Sequence, residues 1–240
     1  MIAMKIGLAT LGVAPGFWRW VGAILLLLAA TCAWVGILWF TVDANALSMH
    51  GFYRDRLADA FTGSAGPSPK LSALLPAKTG GPLPIINATV AGASGREMAR
   101  RGRPAGPFTM TPLEAGSSAL GRSKTAALEA ADPDFDAMAA MALSAAAISP
   151  HAGRVTGSAA AVFLKSLLNA RTGRWLPNPG QIGKLKGPFR AGILNVWREM
   201  IPALPRSRDI PMVLVSDGGH WENLGVLSLA HRLCPVIVAI

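Results

Sequence analysis

The uncharged apolar run from Val21 to Phe40 constrains this chain before any other feature does. Its twenty residues, wound as a helix, rise about 30 Å, which matches the hydrocarbon thickness of a bilayer. Trp18, Trp20, Trp34 and Trp39 cluster near its ends, where indole rings prefer the headgroup boundary. A secretory signal peptide is the rival reading, because Lys5 and Arg19 supply a basic flank. The run is too long for the apolar core of such a signal, and no small-residue cleavage site stands out after Phe40. The expectation is therefore a retained transmembrane helix over 21–40, preceded by a short segment over 1–20, in a single-pass membrane protein. Lys5 and Arg19 on one side are balanced by Arg54 and Arg56 on the other, so the positive-inside rule leaves the orientation open.

Composition agrees with contact between part of the chain and lipid, since 51% of the 240 residues are hydrophobic and the mean hydropathy is +0.39. That length suffices for one sizeable core, or for one domain plus a membrane segment. Lys and Arg number 23 against 13 acidic residues, a net charge of +10 that favours an anionic partner, either a lipid headgroup or a nucleic acid. Cys32 and Cys234 form neither a disulfide framework nor a metal-ligand spacing, consistent with a reducing compartment.

Residues 41–61 form an aromatic and basic juxtamembrane segment that ends in a short helix through Phe61. It could lie at the membrane surface, with Arg54 and Arg56 on phosphates and Phe52 and Tyr53 in the headgroup layer, or it could be a solvated helix. Residues 62–84 are rich in Gly, Ser, Pro and Ala and read as a linker. Ile85 to Val90 has strand composition, and Gly92-Ala93-Ser94-Gly95 then turns into the four arginines of 96–103. No aromatics interleave those arginines to stack bases, so a solvated loop is expected there and nucleic acid is disfavoured. Phe108 to Ser118 reads as a strand and turn. Asp132 to Asp136 offers caps for an alanine-rich helix from about Phe135 to Ala147. A second helix is expected over 159–169, with Val162, Phe163, Leu167 and Leu168 in the core, and a third over 191–200. Between them Asn169 to Pro179 reads as a Pro-rich turn in which Trp175 and Leu176 are buried. Pro235 to Ile240 reads as a final strand, and so abrupt an ending suggests a truncated or fragmentary chain.

The chemistry concentrates at Met212 to Gly225. A short apolar run reads as a buried strand and stops at Ser216-Asp217-Gly218-Gly219, after which a mixed pattern through Arg232 suits one face of a helix. Asp217 thus sits at a strand-to-helix turn, the place where open α/β sheets bind ligands. A carboxylate there can orient or deprotonate a partner, and the glycines allow close approach of backbone or substrate. Capping of the following helix is the plainer role for Asp217. His220 and Glu222 beside it suggest a metal, but a turn with one His lacks a second cluster of ligands, so no metal is expected.

Asp217-Gly218-Gly219 followed by His220-Trp221-Glu222-Asn223-Leu224-Gly225 resembles the Asp-Gly-Gly block of membrane-associated bacterial patatin-like phospholipases. Other stretches resemble the same family: His50-Gly51-Phe52-Tyr53-Arg54-Asp55-Arg56-Leu57, Phe108 to Leu113 before Gly116-Ser117-Ser118, Asn169 to Pro179, and Leu143 to Pro150, where Ala145 stands in place of a glycine. The resemblance covers roughly residues 47–240. It implies an α/β fold, a partial patatin-like three-layer α/β/α domain over 85–240 preceded by one transmembrane helix. It also implies a lipid acyl hydrolase with a Ser-Asp dyad, in which Asp217 is the acid, Gly218 and Gly219 form the site turn, membrane lipid is the partner and no cofactor is needed. A location in a bacterial inner membrane, with the domain on the cytoplasmic side, goes with that family.

The family's Gly-x-Ser-x-Gly elbow and glycine-rich oxyanion loop are not found in this chain; in the relatives they precede the membrane helix. Ser94 comes nearest to an elbow serine, but Arg96 stands where its last glycine should be. Ser144 and Ser149, in or beside a helix, are weaker candidates. Two functions stay open: the C-terminal portion of a membrane-anchored acyl hydrolase that contributes the Asp, or a catalytically inactive membrane-bound remnant acting as a binding or assembly module.

Overall fold

The computed structural model describes residues 15–63, 67–91, 105–149, 158, 160–161, 164–165, 168–184, 191–192, 195 and 210–238. The chain divides into two units, Met1–Val42 and Asp43–Ile240. In the first, helix α1 runs over Pro15–Thr41. It starts earlier than the apolar run because a proline fits the first helical position, where its missing N–H costs nothing. Its segment Gly16–Ile37 has a mean hydropathy of 2.2 and is long and apolar enough to cross a membrane.

The second unit is a mixed α/β domain. Helix α2 (Met49–Thr62) is capped by the Ser48 hydroxyl, which accepts from the His50 N–H. A 3-10 turn at Leu71–Ala73 and a short helix α3 (Pro76–Thr79) lie in the stretch expected as a linker. Leu71 there is fully buried in the main core, so this segment is packed into the domain. Strands β1 (Ile86–Ala91), β2 (Ala105–Met110), β3 (Glu114–Ser117) and β4 (Gly121–Lys124) follow, then helices α4 (Thr125–Ala131) and α5 (Ala137–Ser144). Strand β5 (Arg174–Pro177), a 3-10 helix at Pro179–Lys184, strand β6 (Met212–Asp217), a 3-10 turn at Gly218–His220 and helix α6 (Val226–Ala230) complete the described elements.

The six strands form one sheet in the order β4-β3-β2-β1-β6-β5, and every ladder is antiparallel. Strand β6 lies inside it between β1 and β5, pairing Ala88 with Asp217 and Leu176 with Val213. Both faces of β6 are covered, which is why Met212 to Val215 reads as an unbroken apolar run with no alternation. On one face Val90, Phe108, Met110, Ala115 and Val215 pack against α4 and α5 around Phe135 and Leu143. On the other, Trp175, Met212 and Leu214 pack with Ala44 and Ala191.

Several expectations change in the structure. The alanine-rich helix is shorter than expected, Ala137–Ser144, and of the acidic run it is Asp136 that caps it, accepting from the Ala139 N–H at 2.7 Å. Asp132 instead bonds Arg174 at 2.6 and 3.2 Å, with both side chains buried. Phe108 to Ser118 contains parts of two strands, because the turn at Pro112-Leu113 folds β3 back onto β2. The supposed Pro-rich turn contains strand β5, with Trp175 and Leu176 buried in it. Pro235 to Val238 are in no strand: Val236 and Val238 are exposed, and no described neighbour pairs with them. Of the helix expected at 159–169, Ala160, Ala161, Leu164 and Lys165 are helical, and Leu168 is exposed, not in the core; Val162, Phe163 and Leu167 lie outside the described residues. Of the helix expected at 191–200, Asn195 is helical and Ala191 is not; most of the others, like the arginines of 96–103, lie outside the described residues.

Segment 43–62 docks on its own domain. The Asn45 side-chain amide donates to the Trp175 carbonyl at 2.8 Å and its oxygen accepts from the Trp175 N–H at 2.9 Å, so one side chain pairs the outer edge of β5. The buried His50 Nδ1 lies 2.8 Å from the Thr172 carbonyl oxygen, and Arg54 pairs with Asp136. Arg54 is therefore committed to a protein carboxylate, not to a lipid phosphate. Phe52 stays exposed, with the Arg56 guanidinium 5.6 Å from its ring centroid.

Candidate active site

Asp217 ends β6, where the ladder with β1 stops at its pairing with Ala88. The chain turns there into a single 3-10 turn, Gly218–His220, and α6 begins only at Val226, later than the sequence pattern suggested. The Asp217 Oδ1 accepts from the Gly219 N–H at 2.9 Å, and its own N–H points to the Ala146 carbonyl at 3.4 Å. Its Oδ2 makes no hydrogen bond among the described residues. Among the described residues the carboxylate is thus held at one oxygen only.

Of the glycines behind Asp217, Gly218 is required by space, because the group it meets is backbone, whereas Gly219 meets only the end of a side chain. A Cβ on Gly218 would come within 2.7 Å of the Asn87 carbonyl oxygen, and one on Gly219 within 2.6 Å of the Asn223 Oδ1. Close approach is therefore real at Gly218, and the group approaching is the backbone of β1. Gly225, with φ of +68°, caps the start of α6 in a conformation that side-chain-bearing residues avoid.

The cleft that Asp217 lines has a volume of about 500 Å³. Ile86, Met141 and Leu224 give it apolar walls, and Ser144, Asp217 and Glu222 give it polar ones. The mix of apolar lining with a few fixed polar groups is what small-ligand sites share. Because the sheet is antiparallel throughout, the rule for the carboxyl ends of parallel strands does not locate this site. The turn after β6 does, by carrying the aspartate over the end of α5.

Ser144, at the C-terminal end of α5, lines the same cleft, and its hydroxyl donates to the Asn87 carbonyl at 2.7 Å. Ser149 is buried, and Ser94 lies outside the described residues. Ser216 is fully buried with its Oγ 3.1 Å from the His220 Nδ1. Burial holds the His220 imidazole below its usual pKa, against the opposing charge of Asp217 and a backbone hydrogen bond with Ala147. His220 is a neutral post under the turn. Glu222 caps the following segment, its two oxygens accepting from the N–H groups of Leu224 at 2.5 Å and Leu227 at 3.3 Å. Neither His220 nor Glu222 faces a ligand cluster, and among the described residues no three His, Cys, Asp or Glu side chains converge to hold a metal.

Asn87 is the residue sequence reasoning passed over. Its carbonyl meets Gly218 and Ser144, and its Oδ1 accepts from the Ser228 hydroxyl, tying β1, the Asp217 turn, α5 and α6 together. The only signal was a polar residue inside the apolar Ile85 to Val90 run. Comparison of the chain with protein-family models, with curated proteins and with solved structures finds no match.

Proposed function

We propose that this chain is the C-terminal portion of a membrane-anchored lipid acyl hydrolase of the patatin-like kind, with residues 85–240 forming part of a three-layer α/β/α domain and Asp217 serving as the acid of a Ser-Asp dyad. The observation that carries the reading is the Asp217 carboxylate itself, held at Oδ1 by the Gly219 N–H, with no partner at Oδ2 among the described residues, on the wall of a cleft of about 500 Å³. In such a dyad the serine hydroxyl gives its proton to Oδ2 as its oxygen attacks the ester carbonyl, and no histidine relays the proton. A helix long and apolar enough for a membrane span, α1, fits a lipid substrate and a single-pass membrane location. The resemblance favours the inner membrane of a bacterium with the domain on the cytoplasmic side.

A second reading is a binding or assembly module without catalysis. It is supported by Ser144, the one serine hydroxyl on the cleft wall among the described residues, being committed to the Asn87 carbonyl. One experiment separates the two. Detergent-solubilised protein is assayed on a short-chain acyl ester, with the Asp217→Asn variant alongside. The assay is run on the chain alone and on the chain joined to a segment that carries the elbow and oxyanion loop; the hydrolase reading expects turnover at least in the joined protein, falling by about a hundredfold or more in the variant. Turnover indifferent to that substitution would rule Asp217 out as the acid, and no turnover above background in either form would favour the binding module.

A further inference from the structure

A second cavity, of about 290 Å³, shares Asn87, Gly218 and Glu222 with the Asp217 cleft but does not include Asp217. One wall is the sheet surface of β2 to β4, and the other is α6 with the turn after it. Across the first wall, Arg122 on β4 stands opposite Gly116 on β3, and Gly116 stands opposite Thr109 on β2. The missing side chain at Gly116 lets Arg122 lie over the sheet: a Cβ there would come within 2.8 Å of the Arg122 Cα and 3.1 Å of its Cγ. The Arg122 Nη1 reaches the Thr109 Oγ1 at 3.3 Å and the Glu114 Oε1 at 2.8 Å. From the other wall comes Arg232, whose Nη1 donates to the Ser228 carbonyl at 3.0 Å.

Several guanidinium donors in this cavity are left without a described protein acceptor. The Nε and Nη2 of both arginines have no protein partner among the described residues, and the His231 ring lines the same wall without one. Glu222 is the one carboxylate in the lining, and the Leu224 and Leu227 N–H groups occupy both its oxygens. Glu114 reaches Arg122 from outside as a half-exposed pair, an interaction worth about 1 kcal/mol or less. A guanidinium fork offers several donors and no acceptor, so it is completed by an acceptor-only, doubly charged group. A cavity near the lower end of ligand-site volumes takes a headgroup or a small metabolite, not a polymer.

The geometry points to a binding site for the phosphate of a small phosphomonoester or of a phosphomonoester lipid headgroup, held between Arg122 and Arg232. The site stands on these contacts alone and does not depend on hydrolysis at Asp217.

Isothermal titration of the detergent-solubilised full-length chain tests it, with glycerol 3-phosphate in one arm and a short-chain phosphatidic acid in the other. Arg232→Glu alters an exposed side chain that makes one backbone bond, so the fold is retained and binding should be lost. Arg122→Gln should weaken binding roughly tenfold or more. Lys78→Gln, which removes an exposed cation that does not line the cavity, should leave it unchanged. Binding in either arm with that pattern of variants supports the site, and binding in one arm only identifies the source of the phosphate. Absence of binding in both arms, or an equal loss in Lys78→Gln, overturns it.

Discussion

His50 shows how a residue met in a basic, aromatic stretch can have a role set entirely by burial. The ring is fully enclosed, and burial, aided by the nearby Arg174 and Arg54 charges, lowers its pKa to about 4 despite its bond to the Thr172 carbonyl. The folded state therefore holds the neutral imidazole, with Nδ1 protonated because a carbonyl can only accept. In the unfolded chain the ring titrates near its ordinary value of 6.5. Between those two values the unfolded state binds a proton that the folded state refuses, so stability is complete above pH 6.5 and falls as the pH drops toward 4. The loss from this one group is on the order of 3 kcal/mol. Urea midpoints measured in detergent across that window should fall with decreasing pH, and His50→Gln should flatten the slope; an equally steep slope in the variant would remove His50 as the cause. The Arg54–Asp136 pair adds to the same loss on the acid side, since a carboxyl held below its usual range also gives up stability as the pH falls. Burial would raise the Asp136 carboxyl, but the Arg54 guanidinium and the Ala139 N–H outweigh it and hold the group below its usual range.

The pairing of segment 43–62 with β5 explains how a sheet edge is closed. Asn45 presents an amide in the geometry of a peptide group and satisfies both the N–H and the C=O of Trp175. An uncovered sheet edge is a template for pairing with another chain. Here β5 is covered by this side chain, while the opposite edge, β4, is four residues long and carries Arg122 and Lys124. Asn45→Ala removes both of these buried hydrogen bonds and should cost about 3 kcal/mol. Hydrogen exchange at the Trp175 amide should accelerate by more than a hundredfold, and the variant should aggregate on mild heating. An amide as protected as in the parent chain would show that the edge is held by other means. None of this was legible in the sequence, because Asn45 and Trp175 are 130 residues apart and a lone Asn before a helix reads as a turn. Strands β3, β4 and β5 were missed for a related reason: at four residues each they are too short to show alternation, and only their ladders define them.

For the molecule as a whole, the apolar helix and the α/β domain follow different rules. Helix α1 is specified by local composition, since a bilayer asks only for length and the absence of charge. Arginine at both Leu26 and Leu27, near the centre of its apolar segment, costs about 2.5 to 3.5 kcal/mol per residue in membrane insertion. The Leu26→Arg, Leu27→Arg chain should move from the carbonate-resistant membrane fraction to the soluble one; retention in the pellet would mean that something other than α1 holds it there. In the domain, the buried strand before Asp217, the glycines behind it and the alanine-rich helix capped by an aspartate were readable because each depends on near neighbours in the chain. The antiparallel order of the sheet, the shared use of Asn87 by β1, α5, α6 and the Asp217 turn, and the placement of Arg122 and Arg232 on one cavity were not. Those contacts join residues far apart in the chain, and no local pattern encodes them. They follow from which faces remain to be covered once the apolar strands have paired.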